Sequence, residues 1–327
     1  DGALLHISET SAQVYPDNGQ FPTLWGTTTL ASDNAYAVGL GGVILHYDGV
    51  SWAQESKPEQ TLGYWQGLAG GNGTLITVGQ FGLIGQISGA VVQSIPSPTK
   101  ANLNDVHTAD GETFYAVGNQ GTVLAGNATG FTFLPAPGNV NLYGVWAVAT
   151  DDVYVVGDGG AFYHYDGAIW TPIDSKTLLN LRAIWISDSG EVTVSGDEGV
   201  LVEGTVSGAY TNVGTLAKGG ELSAGFGFDD GQVFLVGYDS KIFHKMGPAW
   251  PEETTPSTQH LRDVWGASST DVWAVGWAGV LLHNDGTGWV QVESPVPEQL
   301  EAVWGFASDD VYAVGGNGTV IHWDGTS

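Results

Sequence analysis

The stretch LRDVWGASSTDVWAVGWAGVLLHNDGTGWVQVESP, Leu261 to Pro295, decides the fold. It reads as four short strands: Leu261–Trp265, Val272–Gly276, Val280–His283 and Trp289–Val292. A Ser/Thr/Asp turn divides the first two, Asp285-Gly286 signals a hairpin between the last two, and Pro295 ends the unit. Val, Trp and Leu suit a pleated, half-buried strand, whereas Gly, Asp, Asn and Ser suit turns. No helical period of useful length competes with this reading.

The same unit recurs along the chain, and that periodicity outranks any local signal. Its Val-Gly tag, or an equivalent, ends at Gly39, Gly79, Gly118, Gly157, Gly196, Gly237, Gly276 and Gly315, with spacings of 40, 39, 39, 39, 41, 39 and 39. An upstream tag falls at Trp25, Trp65, His107, Trp146, Trp185, Phe226, Trp265 and Trp304. Six of these lie 11 residues before their glycine and the first two lie 14 before, which predicts a three-residue turn insertion in the first two units. Strands this short cannot bury both faces alone, so the units must stack. Roughly 40 residues and four antiparallel strands per unit is the pattern of a β-propeller blade. The sequence therefore predicts an all-β, eight-bladed β-propeller of four-stranded antiparallel blades, a single domain over residues 1–327.

The termini predict how such a ring closes. Residues 318–325, GTVIHWDG, supply a third strand with no fourth after it. At the other end Gly2–His6 matches a third strand and Ala12–Tyr15 a fourth. Residues 1–17 are thus expected to complete the last blade and remove the open edges of the sheet. The third strand is present twice, at 3–7 and 319–323, and the pattern leaves open which copy joins that blade.

Composition excludes several classes. The 327 residues include 8 Lys+Arg against 35 Asp+Glu, a formal charge of −27, and no Cys. Thiolate metal sites, disulfides and cysteine nucleophiles are impossible. Nucleic acid is not an expected partner, because phosphate recognition needs a basic footprint. No apolar run is long enough for a membrane helix, so no membrane insertion is expected. The acidic, Cys-free, Gly-rich composition and the start at Asp1 without Met point to a processed protein of a bacterial exterior: extracellular, cell-surface or periplasmic.

The unit VWG…DVWAVG…GTVLHYDG…W resembles the bacterial propeller repeats related to the photosystem II stability/assembly factor and the Asp-box (sialidase-type, BNR) repeats. The resemblance covers residues 3–325. The hairpin from Asp48 to Trp52 is one residue shorter than the usual Asp-box. It implies a propeller fold, while propellers serve many functions. Sialidases of this repeat type hold a substrate carboxylate with three arginines; this chain has only Arg182 and Arg262, so that site cannot be built.

Most repeated residues are read as blade structure. His6, His46, His164, His244, His283 and His322 share one position of the third strand. Gln86, Ala125 and Glu203 occupy the equivalent place elsewhere, so no metal-binding ring is complete, and each imidazole is expected to bond a neighbouring backbone group. His107 replaces a repeat tryptophan and is expected to be packed. Neither a metal nor a cofactor is expected, and no calcium-loop, His-Glu-x-x-His or Gly-x-Ser-x-Gly motif occurs.

The candidate site comes from what varies inside a constant frame. A Gly-x-x-Gly frame between the second and third strands holds Leu40-Gly41, Gln80-Phe81, Asn119-Gln120, Asp158-Gly159, Asp197-Glu198, Tyr238-Asp239, Trp277-Ala278 and Gly316-Asn317. Backbone geometry explains the frame and leaves its contents free. Trp277, Tyr238 and Phe81 should be exposed aromatics beside Asp158, Asp197, Glu198 and Asp239. His260 and Arg262 adjoin them in the seventh unit. Rings beside carboxylates suit sugar recognition, since the ring stacks on C–H faces and the acids accept hydroxyl bonds. The expected function is a non-enzymatic binding propeller with a glycan as leading ligand. The alternatives are a protein-interaction or assembly scaffold, and a hydrolase or lyase with paired carboxylates at the channel mouth.

Overall fold

A computed structural model describes strands 4–8, 11–15, 24–31 and 34–39, residues 43–49 and 52–54, and residues 64–325 apart from 72, 89–90, 188, 217–219, 221 and 229. The regular structure of the described residues is β-strands and single-turn 3-10 segments. No helix among them is long and apolar enough to cross a membrane. The frame at Leu40-Gly41 lies outside the described residues.

The strands are grouped in successive sheets, numbered here in chain order. Sheet 1 runs from Leu24 to Gln54, sheet 2 from Trp65 to Ser94, sheet 3 from Leu103 to Phe133 and sheet 4 from Leu142 to Pro172. Sheet 5 runs from Leu181 to Thr215, sheet 6 from Leu222 to His244 and sheet 7 from Leu261 to Val292. Sheet 8 combines Leu300–Ala307, Asp310–Gly315 and Val320–Trp323 with the N-terminal strands Leu4–Ser8 and Ser11–Tyr15. The chain divides into two compact units. One holds residues 1–54 and 216–327, hence sheets 1, 6, 7 and 8; the other holds residues 55–215, hence sheets 2 to 5.

The expectation of eight four-stranded antiparallel blades is corrected. Seven sheets reach the four strands of a complete blade, and sheet 6 has three. The cause is local. After His244 the chain turns back at Met246 and Ala249, and Pro251 then stands where the fourth strand must donate. Proline has no N–H, so it cannot complete a ladder. The return segment keeps only an isolated bridge between Phe243 and Glu252, with bonds from His244 N–H to the Pro251 carbonyl and from Glu253 N–H to the Ile242 carbonyl.

Sheet 8 settles the question that the duplicated third strand left open. Both copies are in it. The strand Leu4–Ser8 pairs in parallel with Val320–Trp323, aligning His6 with His322, and antiparallel with Ser11–Tyr15. The sheet therefore has five strands and one parallel seam.

Strand register also corrects the upstream tag. Leu24 faces Gly39, Trp65 faces Gly79, Leu142 faces Gly157 and Leu261 faces Gly276. Trp25 and Trp65 thus lie at the beginning of their strands, and no three-residue insertion exists. Thr28 and Ala69 hold the place that Trp146 and Trp265 hold elsewhere, opposite Tyr36 and Ile76.

Packing follows the order of strands. The second strand is buried along its length, as at Phe114–Gly118 and Val233–Gly237, whereas the fourth strand Thr211–Thr215 buries nothing fully. Successive sheets share cores: Ile76, Val78, Leu103 and Phe114 join sheets 2 and 3, and Phe234, Val236, Leu261 and Leu282 join sheets 6 and 7. Each fully buried side chain of this size contributes about 1.5–3 kcal/mol.

Among the described side chains the repeated histidines are structural, with a partner other than the one expected. His46, His164, His283 and His322 each bond a side chain at the start of the second strand, not a backbone group. The pairs are His46–Asn34 at 3.0 Å, and His164–Asp152, His283–Asp271 and His322–Asp310 at 2.7 Å. Each imidazole also stacks on the aromatic of that strand, as His283 does on Trp273 at 4.0 Å and His322 on Tyr312 at 4.1 Å. His107 is packed as expected, stacked 4.2 Å from Trp146 with its Nδ1 accepting from Ala147 N–H.

Candidate functional site

The Gly-x-x-Gly frame is built by close approach of backbone to backbone. A Cβ on Gly79, Gly118, Gly157, Gly196, Gly276 or Gly315 would collide with the carbonyl oxygen of Tyr64, Asn102, Asn141, Asn180, His260 or Gln299, respectively. The next residue of the frame donates its N–H to that same oxygen, as Asp158 does to Asn141 at 2.9 Å and Trp277 to His260 at 2.9 Å. The second residue within the frame is left-handed in every described case: Phe81, Gln120, Gly159, Glu198, Asp239, Ala278 and Asn317 have φ between 54° and 62°.

A side chain from the following sheet holds this turn. Asn102 accepts from Phe81 N–H at 3.0 Å, Asn141 from Gln120 N–H at 3.1 Å and Asn180 from Gly159 N–H at 2.9 Å. His260 takes the same place: its Nδ1 accepts from Asp239 N–H at 2.9 Å. Each of these four residues precedes a leucine that opens the first strand. That column of Asn, Asn, Asn and His in the sequence carries the signal by which the role of His260 could be read.

In the unit of sheets 6 and 7 three of the named residues come together. The His260 ring lies 4.0 Å from Tyr238 and 4.4 Å from Trp277, the latter edge-on, and Tyr238 lies 6.5 Å from Trp277. Trp277 keeps 39% of its surface open, and the Asp239 side chain, its carboxylate 3.7 Å from His260 Nδ1, is 79% exposed. Arg262 is engaged: it pairs with Glu301 of sheet 8 at 2.9 Å, and Gln299 bonds the other oxygen of that carboxylate.

In the other unit the named acids take up different tasks. Asp197 binds Arg182 through two bonds of 2.7 and 3.1 Å and also accepts from Asn180 at 2.7 Å. These hydrogen bonds hold its carboxyl below the ordinary value, against the opposing effect of burial. Asp158 accepts from Tyr143 at 2.7 Å, and the Arg182 guanidinium sits 4.3 Å over the Tyr143 ring. The chain Asp158–Tyr143–Arg182–Asp197 fastens sheet 4 to sheet 5; reading by residue type did not single out Tyr143. Glu198 and Phe81 are exposed, Phe81 at 63%.

No protein-family model matches the chain, and no curated protein matches it. Solved structures do, at the level of fold. The structure described as YCF48 bound to D1 peptide is similar at a TM-score of 0.62 and 16% identity, covering 93% of this chain and 94% of that one. Sqt1 of Chaetomium thermophilum is similar at 0.78 and 10%, covering 100% and 98%. Virginiamycin B lyase from Staphylococcus aureus is similar at 0.65 and 14%, covering 79% and 93%. The fold class is therefore an all-β propeller of antiparallel blades.

Proposed function

We propose that the chain is a non-enzymatic binding propeller that takes a peptide or protein partner at Tyr238, His260 and Trp277. The observation that carries this reading is the ring cluster itself, preset by the bond from Asp239 N–H to His260 Nδ1. Trp, Tyr and Arg are the residues on which binding energy concentrates in protein interfaces, and a rigid cluster loses little entropy on binding. A propeller neighbour described with a bound peptide supports a scaffold of this kind. A second reading is a glycan, favoured by the partly open Trp277 and the exposed Asp239 carboxylate, both of which neighbour His260. A secreted or cell-surface location belongs to the same proposal and rests on the charge of −27.

A displayed random-peptide library and a glycan array, probed with the wild type and with Trp277→Ala, test the two readings together. Peptides enriched by the wild type should bind Trp277→Ala and Tyr238→Ala about 1–3 kcal/mol more weakly, with melting curves unchanged. Binding to sugars alone would move the conclusion to the second reading. Peptide binding indifferent to both substitutions would sink the assignment of the site.

A further inference from the structure

A cavity of about 460 Å³ lies between sheets 6 and 7. Its residues Asn284, Gly286 and Thr287 belong to the hairpin between the third and fourth strands. That is the opposite end of the third strand from Trp277. The cavity falls within the size range of small-ligand sites.

The segment that returns along sheet 6 in place of a fourth strand lines it with Glu253 and Thr254. Glu253 N–H donates to the Ile242 carbonyl as Ile173 N–H donates to the Phe162 carbonyl in sheet 4. Glu253 therefore stands where Ile173, and by the same register Val292, packs apolar surface against the neighbouring core. An acid at this position brings charge to the cavity wall. Its Oε1 accepts from His244 Nδ1 at 2.8 Å and its Oε2 from Trp289 Nε1 at 2.5 Å. The second imidazole nitrogen of His244 faces Gln232 Oε1 at 2.5 Å.

These bonds fix what the cavity can still do. A carboxylate has about four lone-pair directions, and two of those of Glu253 are filled. The donors that fill them are committed. Ser269, Thr270 and Thr287 add hydroxyl oxygens, Phe234 and Trp289 add apolar wall, and neither Lys nor Arg lines the space. Among the described residues no three His, Asp or Glu side chains converge as a metal ion would require. The open capacity is thus for a hydrogen-bond donor with an apolar stem, in a chain of net charge −27 that attracts cations. We infer that this cavity binds a cationic amino or guanidino group. Its source is a small organic amine or the Lys or Arg side chain of a partner.

Calorimetric titration of the whole chain with cadaverine, with its neutral isostere 1,5-pentanediol and with acetyl-Gly-Lys-Gly amide tests this. Cadaverine and the peptide should saturate a single site and weaken with added salt, while pentanediol should not bind. Glu253→Gln should weaken both roughly tenfold, the loss of a charge-assisted bond. Thr287→Trp, on the exposed hairpin, should block the mouth without touching the core, and so abolish binding even if Glu253→Gln folds poorly. A tighter peptide identifies a partner chain as the source, and a tighter free amine identifies a metabolite. Equal binding of pentanediol, no saturable binding of either cation, or binding unchanged by Thr287→Trp would overturn the inference.

Discussion

Gly157→Ala should destabilise its unit by about 3–5 kcal/mol and lower the melting midpoint by roughly 10 °C. Gly157 is extended, with φ −170°, so the added methyl meets no torsional penalty of its own. The cost is steric. The new Cβ would overlap the Asn141 carbonyl oxygen, and that oxygen belongs to backbone, which cannot rotate away as a side-chain tip can. Relieving the overlap pulls Asp158 N–H from the same oxygen and loosens the Tyr143–Asp158 bond that leads on to Arg182. Gly159→Ala two residues on is the matched control. It has φ +62° with nothing within 4 Å of its would-be Cβ, and Gln120, Glu198 and Ala278 already adopt that conformation elsewhere in the chain. It should cost only about 1 kcal/mol. Chemical denaturation of the two variants checks this, and equal losses would refute the close-approach account of the frame.

That contrast separates what could be read in the sequence from what could not. The frame was legible because close backbone approach demands glycine at a fixed spacing. The residues inside it meet no such demand, so their spacing carried no instruction about partners. The aromatic tag misled at Trp25 and Trp65 because an aromatic can serve at more than one strand position, whereas the strand register pairs Leu24 with Gly39 and Trp65 with Gly79. The three-stranded sheet 6 was written in Pro248 and Pro251, but the strength of the repeat overrode those breakers. Residue type alone did not show that His260 Nδ1 accepts from Asp239 N–H. Comparing it with Asn102, Asn141 and Asn180, the residues before each opening leucine, exposes that role. Contacts between sheets remained hidden wherever the partner lies about one repeat away, as with Arg262 and Glu301, 39 residues apart.

The clearest case of such hidden contacts is Asp263, and it yields the largest expected dependence on pH. Asp105 and Asp263 occupy a first-strand position that is Gly26, Gly67, Gly144, Ala183, Ala224 or Ala302 in the other sheets. Each carboxyl bridges two sheets: Asp105 accepts from Val106 N–H at 2.8 Å and Val145 N–H at 3.0 Å. Asp263 accepts from Val264 N–H at 3.0 Å and Val303 N–H at 2.9 Å. Burial raises each from 3.8 to about 7, because the backbone bonds only partly offset the loss of water around the charge. A carboxyl whose folded value lies above its unfolded one stabilises fully below pH 3.8 and loses that contribution as pH rises through about 7. At 1.36 kcal/mol per pH unit this is on the order of 4 kcal/mol for each group. His107 opposes it, since burial lowers its value from 6.5 to about 4 and its contribution is lost as pH falls through that interval. Burial lowers His46 as well, in the same sense as His107. The two acids outweigh both histidines, so the wild type should gain stability between pH 8 and pH 5. Asp263→Asn isolates one group. The amide keeps a single acceptor for two N–H donors, so at pH 5 the variant should be less stable than the wild type by about 1–3 kcal/mol. At pH 8, where the wild type holds a buried charge, the gap should close or reverse. Urea midpoints for both proteins across this range should therefore converge toward high pH. Parallel curves would mean that Asp263 titrates at an ordinary carboxylate value and that the clamp it forms with Val303 is solvated.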